Sequence, residues 1–140
     1  MILYVDTSAL VKLYVDEIGT RSVTESVLRA TVVATARISY TEARAAFARH
    51  RREGEIEPAE LRRIVRELNA GWASYSVVDV SESVVRLAGD LAERHGLRAY
   101  DAVHLAAAIV VRQAGGNLEF LTFDSRLNQA GHREGLSVAT

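Results

Sequence analysis

Ile2-Leu3-Tyr4-Val5-Asp6-Thr7-Ser8-Ala9-Leu10 opens the chain. Ile2 to Val5 is a short, unbroken apolar run, the pattern of a strand buried on both faces. Asp6-Thr7-Ser8 then supplies side chains suited to a helix start, and Leu10, Leu13 and Tyr14 at helical spacing predict a helix over Ala9 to Val15. A strand that passes through an acid into a helix is half of a parallel β-α unit.

The same rhythm recurs along the chain. Gly19 breaks the first helix, and Ser22 with Glu25 three residues on predicts a capping box for a second helix to about Ala30. Thr31 to Thr35 predicts a strand, and Ser39-Tyr40-Thr41-Glu42 starts a helix to about Arg52, ended by Gly54. Pro58 suits the first turn of the next helix, which runs to about Ser74. Ser76 to Val80 predicts a strand, followed by a helix from the cap Ser81 to His95 that Gly96 terminates. A helix from Tyr100 to Ala114, a strand from Leu118 to Thr122, a short helix from Ser125 to Ala130 and an edge strand from Leu136 to Val138 complete the pattern. The expected fold class is α/β: one domain over residues 1–140, a three-layer α/β/α sandwich with a parallel sheet of four to five strands. Ligands of such sheets bind beyond the carboxyl ends of the strands, where the strand order reverses.

A chain of 140 residues with 49% hydrophobic and 25% charged residues has room for one real core. With no Cys, disulfides and thiolate metal sites are excluded. No apolar run approaches the ~18 residues that span a bilayer, and the start lacks a signal-peptide pattern, so the expected location is the cytoplasm, with no membrane partner. Net charge is -1, so overall charge does not attract nucleic acid. Arg44, Arg49, Arg51, Arg52, Arg62, Arg63 and Arg66 nevertheless crowd one stretch. They read either as a local polyanion patch or as a solvated face paired with Glu53, Glu55, Glu57, Glu60 and Glu67.

Four acids stand at expected helix starts: Asp6, Glu42, Asp101 and Asp124. Each has a structural reading of its own. Asp6 and Asp124 suit N-caps, Glu42 stands at capping-box spacing from Ser39, and Asp101 suits a first helical turn. His104, one turn beyond Asp101, reads as a packed structural residue before a ligand. The joint placement says more. Asp6 and Asp124 each follow a strand, so the group converges on one sheet edge if the fold is right. Two carboxylates at ~5 Å repel by about 3 kcal/mol at an effective dielectric of ~20. A hard divalent cation offsets that, and all-oxygen ligation with retained waters is what Mg²⁺ or Mn²⁺ prefers.

Ile2 to Leu10 resembles the opening of PIN domains, the nuclease fold of VapC-type toxins. Leu97-Arg98-Ala99-Tyr100-Asp101-Ala102-Val103-His104-Leu105-Ala106 resembles their most specific internal segment. Leu121-Thr122-Phe123-Asp124-Ser125-Arg126-Leu127 resembles their closing motif, and Ser39-Tyr40-Thr41-Glu42 the segment carrying the second acid. The resemblance spans the chain in order and length. It implies a five-stranded parallel sheet, Mg²⁺ (or Mn²⁺), and endonucleolytic cleavage of an RNA substrate. It also implies a homodimer and inhibition by a small VapB-type antitoxin. Asp6 and Asp101 would be the main metal ligands, with Glu42 and Asp124 completing the set and orienting a nucleophilic water. Ser8 matches a supporting hydroxyl. Arg98 and Arg126 would contact phosphate or pair with the acids.

The expected function is that of a Mg²⁺-dependent endoribonuclease toxin that hydrolyses phosphodiesters with a metal-activated water. The alternative is a PIN-fold RNA- or protein-binding regulatory module with weak or no nuclease activity. A haloacid-dehalogenase-type phosphatase needs a second Asp where Ser8 stands. A receiver module needs paired acids after the first strand and a late Lys, whereas Lys12 is the single Lys.

Overall fold

The computed structural model describes residues 1–139. Five parallel strands form one sheet: β1 (Ile2–Val5), β2 (Val32–Ala36), β3 (Ser76–Val78), β4 (Leu118–Leu121) and β5 (Ser137–Ala139). Their order is β3-β2-β1-β4-β5. The chain therefore builds outward from β1 on one side, then returns to β1's other edge with β4. The β1–β4 seam is the place where the order reverses, and the crevice beyond its carboxyl end is where such folds bind ligands.

Among the described residues, seven helices cover the sheet: α1 (Thr7–Val11), α2 (Thr20–Arg29), α3 (Ser39–Arg52), α4 (Pro58–Trp72), α5 (Glu82–His95), α6 (Ala99–Gln113) and α7 (Ser125–Arg133). Alternation along β1 divides the core. Leu3 and Val5 pack with Leu10, Phe47, Ile64 and Leu68 on the α1–α4 side. Tyr4 packs with Leu91, Leu105, Phe120 and Leu127 on the α5–α7 side. Both faces of β1 are thus covered, which is why its sequence has no polar alternation. Helix α6 is buried over most of its circumference, and its small residues Ala102, Ala106, Ala107 and Ala108 allow close approach to the sheet. None of the described helices is long and apolar enough to cross a membrane.

Element boundaries agree with the sequence reading to within a few residues, and the shifts have causes. Helix α1 starts at Thr7, two residues before the expected Ala9, because Asp6 is its N-cap. Hydrogen-bonded turns then continue to Val15, whose amide donates to the Val11 carbonyl at 2.9 Å. The expected Ser22–Glu25 capping box does not form. Helix α2 begins at Thr20 behind Gly19, whose φ of 100° is a left-handed conformation that glycine adopts freely. The Thr20 hydroxyl accepts from the Glu17 amide at 3.0 Å and donates to the Val15 carbonyl at 3.2 Å, closing the loop ahead of the helix. Strand β2 is displaced by one residue from the expected Thr31–Thr35, and β3 stops at Val78 rather than Val80.

Candidate active site

One cleft beyond the carboxyl ends of β1 and β4 is lined by Asp6, Glu42, Asp101 and Asp124, together with Thr7, Ser8, His104, Lys12, Arg49 and Arg98. Its volume is about 400 Å³.

Asp6 leaves β1 and caps α1. Its Oδ1 accepts from the Ala9 amide at 3.0 Å and from Ser8 Oγ at 2.7 Å. Its Oδ2 accepts from Thr122 Oγ1 at 2.5 Å. The capping interaction therefore does not compete with a place in the cleft: it fixes the carboxylate there. Ser8 ties the seam a second time by accepting from the Phe123 amide at 3.1 Å. Asp124 is likewise an N-cap, its Oδ1 accepting from the Leu127 amide of α7 at 2.9 Å. The Asp124 amide in turn donates to Thr122 Oγ1 at 3.1 Å. Thr122 thus locks the two acids to each other, a role that only strand pairing reveals.

Glu42 is not a cap. Helix α3 is preceded by Ile38, and no side chain caps it. Ser39, fully buried, instead shares a hydrogen bond of 2.7 Å with Thr35 Oγ1. Glu42 Oε1 accepts from Thr7 Oγ1 at 2.7 Å and meets His104 Nε2 at 2.9 Å. Burial pushes its carboxyl upward, but the hydrogen bonds from His104 and Thr7 outweigh it and hold Glu42 below the usual range.

Asp101 lies in the first turn of α6, without a strong partner. Arg98 Nε stands 3.5 Å from its Oδ2, and Arg98 Nη2 lies 3.9 Å from Asp124 Oδ2. Burial and then the Asp124 charge raise the Asp101 carboxyl above its ordinary value; Arg98 opposes this and Asp6 adds to it. Uncompensated negative charge thus gathers at the cleft's centre, and the mostly exposed Arg98 only partly answers it.

Among the described residues, no three Asp, Glu or His side chains converge tightly enough to enclose a metal ion by themselves. An all-carboxylate set on an open cleft does fit Mg²⁺ or Mn²⁺. Mg²⁺ is ordinarily held by one or two carboxylates and keeps several waters.

The arginine-rich stretch divides by position. Arg63 pairs with Glu60 and Glu67, and Arg44 reaches the Tyr40 hydroxyl at 2.9 Å, as a solvated face does. Arg49 alone of that stretch lines the cleft. Arg126 Nη1 donates to the Gly96 carbonyl at 3.4 Å. Lys12, His50 and Glu17, also on the cleft wall, escaped sequence reasoning, because their meeting depends on how α1 packs against α3.

A parallel sheet reversing at β1, with acids seated on that seam, is the arrangement of a PIN domain. The chain matches the PIN domain family over residues 3–133 and belongs to it. Ribonuclease VapC45 of Mycobacterium tuberculosis is 35% identical over 138 residues, covering 99% of this chain and 94% of the relative. The crystal structure of FitAcB from Neisseria gonorrhoeae has the same fold, with a TM-score of 0.73, 18% identity, and coverage of 100% of this chain and 97% of that one. A toxin–antitoxin complex from Klebsiella pneumoniae gives a TM-score of 0.66 at 17% identity, covering 89% of this chain and 88% of that one.

Proposed function

We propose that this chain is a divalent-metal-dependent endoribonuclease and the toxin of a VapBC-type pair. One observation carries the reading. Asp6, Glu42, Asp101 and Asp124 line a single cleft in a chain 35% identical, across 99% of its length, to a protein named as a VapC ribonuclease. The fold shared with a toxin–antitoxin complex supports a small antitoxin as partner. A homodimer in the cytoplasm completes the proposal.

Asp6 and Asp101 would hold Mg²⁺ (or Mn²⁺), with Glu42 and Asp124 completing the set directly or through water. Once bound, the ion would activate a water and stabilise charge on a phosphate oxygen. The chain's own residues do the rest. Ser8, the Ala9 amide and Thr122 keep Asp6 in one orientation, and the Leu127 amide does the same for Asp124. Such preorganisation spares the site from rearranging during reaction. Glu42, held below the usual carboxylate range against the pull of burial, is ionised near neutral pH and orients a water by accepting its hydrogen bond. Arg98, Arg49 and Lys12 supply positive charge on the cleft wall, where a phosphodiester backbone enters.

The test is cleavage of end-labelled RNA with Mg²⁺, with Mn²⁺ and with chelator. Cleavage is expected only with metal. Asp101→Asn should reduce it by at least about 100-fold, beyond the 10–100-fold typical of an outer partner. RNA binding without turnover at any metal concentration would instead identify a binding module.

A further inference from the structure

Among the described residues, His104 is the one buried titratable side chain lining the cleft to which the proposed chemistry gives no task. It projects from α6 and is 2% exposed. Both ring nitrogens are engaged. Nδ1 lies 2.9 Å from the Tyr4 hydroxyl. Nε2 lies 2.9 Å from Glu42 Oε1 and 3.1 Å from Thr7 Oγ1. Neither nitrogen is free to bind a metal.

The donors in this chain can be assigned by elimination. Tyr4 is fully buried on β1, its ring wedged between His104 and Phe120 at centroid distances of 6.0 and 5.7 Å. A buried hydroxyl needs an acceptor for its hydrogen. The lone pair of Nδ1 is the acceptor in reach, so Nδ1 carries no proton. The ring proton then sits on Nε2 and points at Glu42 Oε1, a carboxylate oxygen that can only accept. Thr7 Oγ1 donates to that same oxygen at 2.7 Å. Among the described residues, Oε1 carries both of Glu42's side-chain hydrogen bonds, and Oε2 carries none.

We infer that Tyr4 and His104 are positioning residues. Tyr4 sets the imidazole tautomer, and the imidazole then fixes Glu42 so that Oε2 alone remains available to metal, water or substrate. A purely structural Tyr–His pair would close within the core. This one runs from the middle of β1, through α6, to an acid of the cleft on α3, joining residues 100 and 62 positions apart. Outer partners of this kind orient a ligand and hold its charge state. The inference rests on the proposed function for the metal, but not for the tautomer.

The experiment has two independent arms. In the first, ring ¹⁵N spectra of the whole protein at neutral pH report His104 directly. A neutral ring protonated at Nε2 is expected; an Nδ1–H tautomer or a doubly protonated ring overturns the assignment. In the second, Mn²⁺ alone is titrated calorimetrically into the parent, Tyr4→Phe, His104→Gln and His104→Leu. Tyr4→Phe loses only a hydroxyl and is expected to keep its circular dichroism while binding Mn²⁺ about 10-fold more weakly. His104→Gln, whose amide nitrogen can stand in for Nε2–H, is expected to stay within about 3-fold of the parent, while His104→Leu loses at least about 10-fold. Parental affinity in folded Tyr4→Phe, or equal losses in Gln and Leu, overturns the positioning role. If the parent itself binds no Mn²⁺, the proposed function fails, while the ring spectra still decide the Tyr4–His104 arrangement.

Discussion

Asp101 and Glu42 face the same cleft with opposite responses to protons. Burial first, then Asp124 and Asp6, raise the Asp101 carboxyl against the pull of Arg98. A raised folded-state value means that ionisation opposes folding. The cost is fully present above that value and vanishes as pH falls below the unfolded one. Asp101→Asn should therefore raise the thermal midpoint of the metal-free protein at pH 7 and lose that advantage near pH 3, as calorimetry at the two pH values would show. The same substitution removes a proposed metal ligand, so stability and cleavage should move in opposite directions. Thr122→Val tests the seam between the other two acids. It deletes the donor to Asp6 Oδ2 and the acceptor of the Asp124 amide. A cost of about 1–3 kcal/mol in urea unfolding is expected for the buried groups left unpaired, with cleavage down by about 10–100-fold. Sequence reading set capping against chemistry for Asp6 and Asp124, but capping does not take either acid out of the cleft, since the cap is what aims the carboxylate there. It found Ser39–Glu42 spacing where no cap exists, because Ser39 is drawn inward to Thr35. Tyr4 and Thr122 were illegible as site residues: a tyrosine in an apolar strand and a threonine at a strand end look like packing until their partners are in place.

At the scale of elements, the loop between α1 and α2 is tightly constrained beside the cleft. Gly19 adopts a φ of 100°, and a Cβ added there would stand 2.7 Å from Phe123 Cε1 and 3.1 Å from the Lys12 chain. Lys12 Nζ in turn rests 4.6 Å from the centre of the Phe123 ring. Gly19→Ala is expected to cost about 1–3 kcal/mol in urea unfolding, combining an unfavourable left-handed residue with a displaced aromatic. Strands and helices were legible here because each has a strong local signal: an unbroken apolar run for β1, Pro58 at the first turn of α4, Ser81 capping α5. The start of α2 was not, because the hydrogen bonds that fix it come from Thr20 turning back to Val15, a tertiary closure that a Ser–Glu spacing cannot report.

Across the whole molecule, Glu134 fastens the α5–α7 layer. Its Oε2 meets Arg94 Nη1 at 2.7 Å and His95 Nε2 at 2.6 Å, while its carbonyl accepts from Arg112 of α6 at 3.4 Å. Burial raises its carboxyl, but His95 and then Arg94 overcome this and hold it below the ordinary range. A lowered value stabilises the fold above the unfolded value, and that contribution is lost as pH falls through the folded one. Glu134→Gln should therefore be less stable at pH 7 and show a flatter loss of thermal midpoint between about pH 5 and pH 3, the range below the usual carboxylate value. The parallel sheet was legible as a class, but the reversal of its order at β1 was not. Nor was the pairing of β1 with β4, since nothing local in either strand names its neighbour. That pairing has a practical consequence. Asp6 and Thr122 are 116 positions apart and meet only across the seam. A cut at the Gly115-Gly116 turn leaves Asp6, Glu42 and Asp101 on one piece and Asp124 on the other. Neither piece should cleave RNA alone, and their mixture should regain activity only when the two are brought together. The chain would then behave as a two-key lock, reporting the proximity of whatever is fused to its halves.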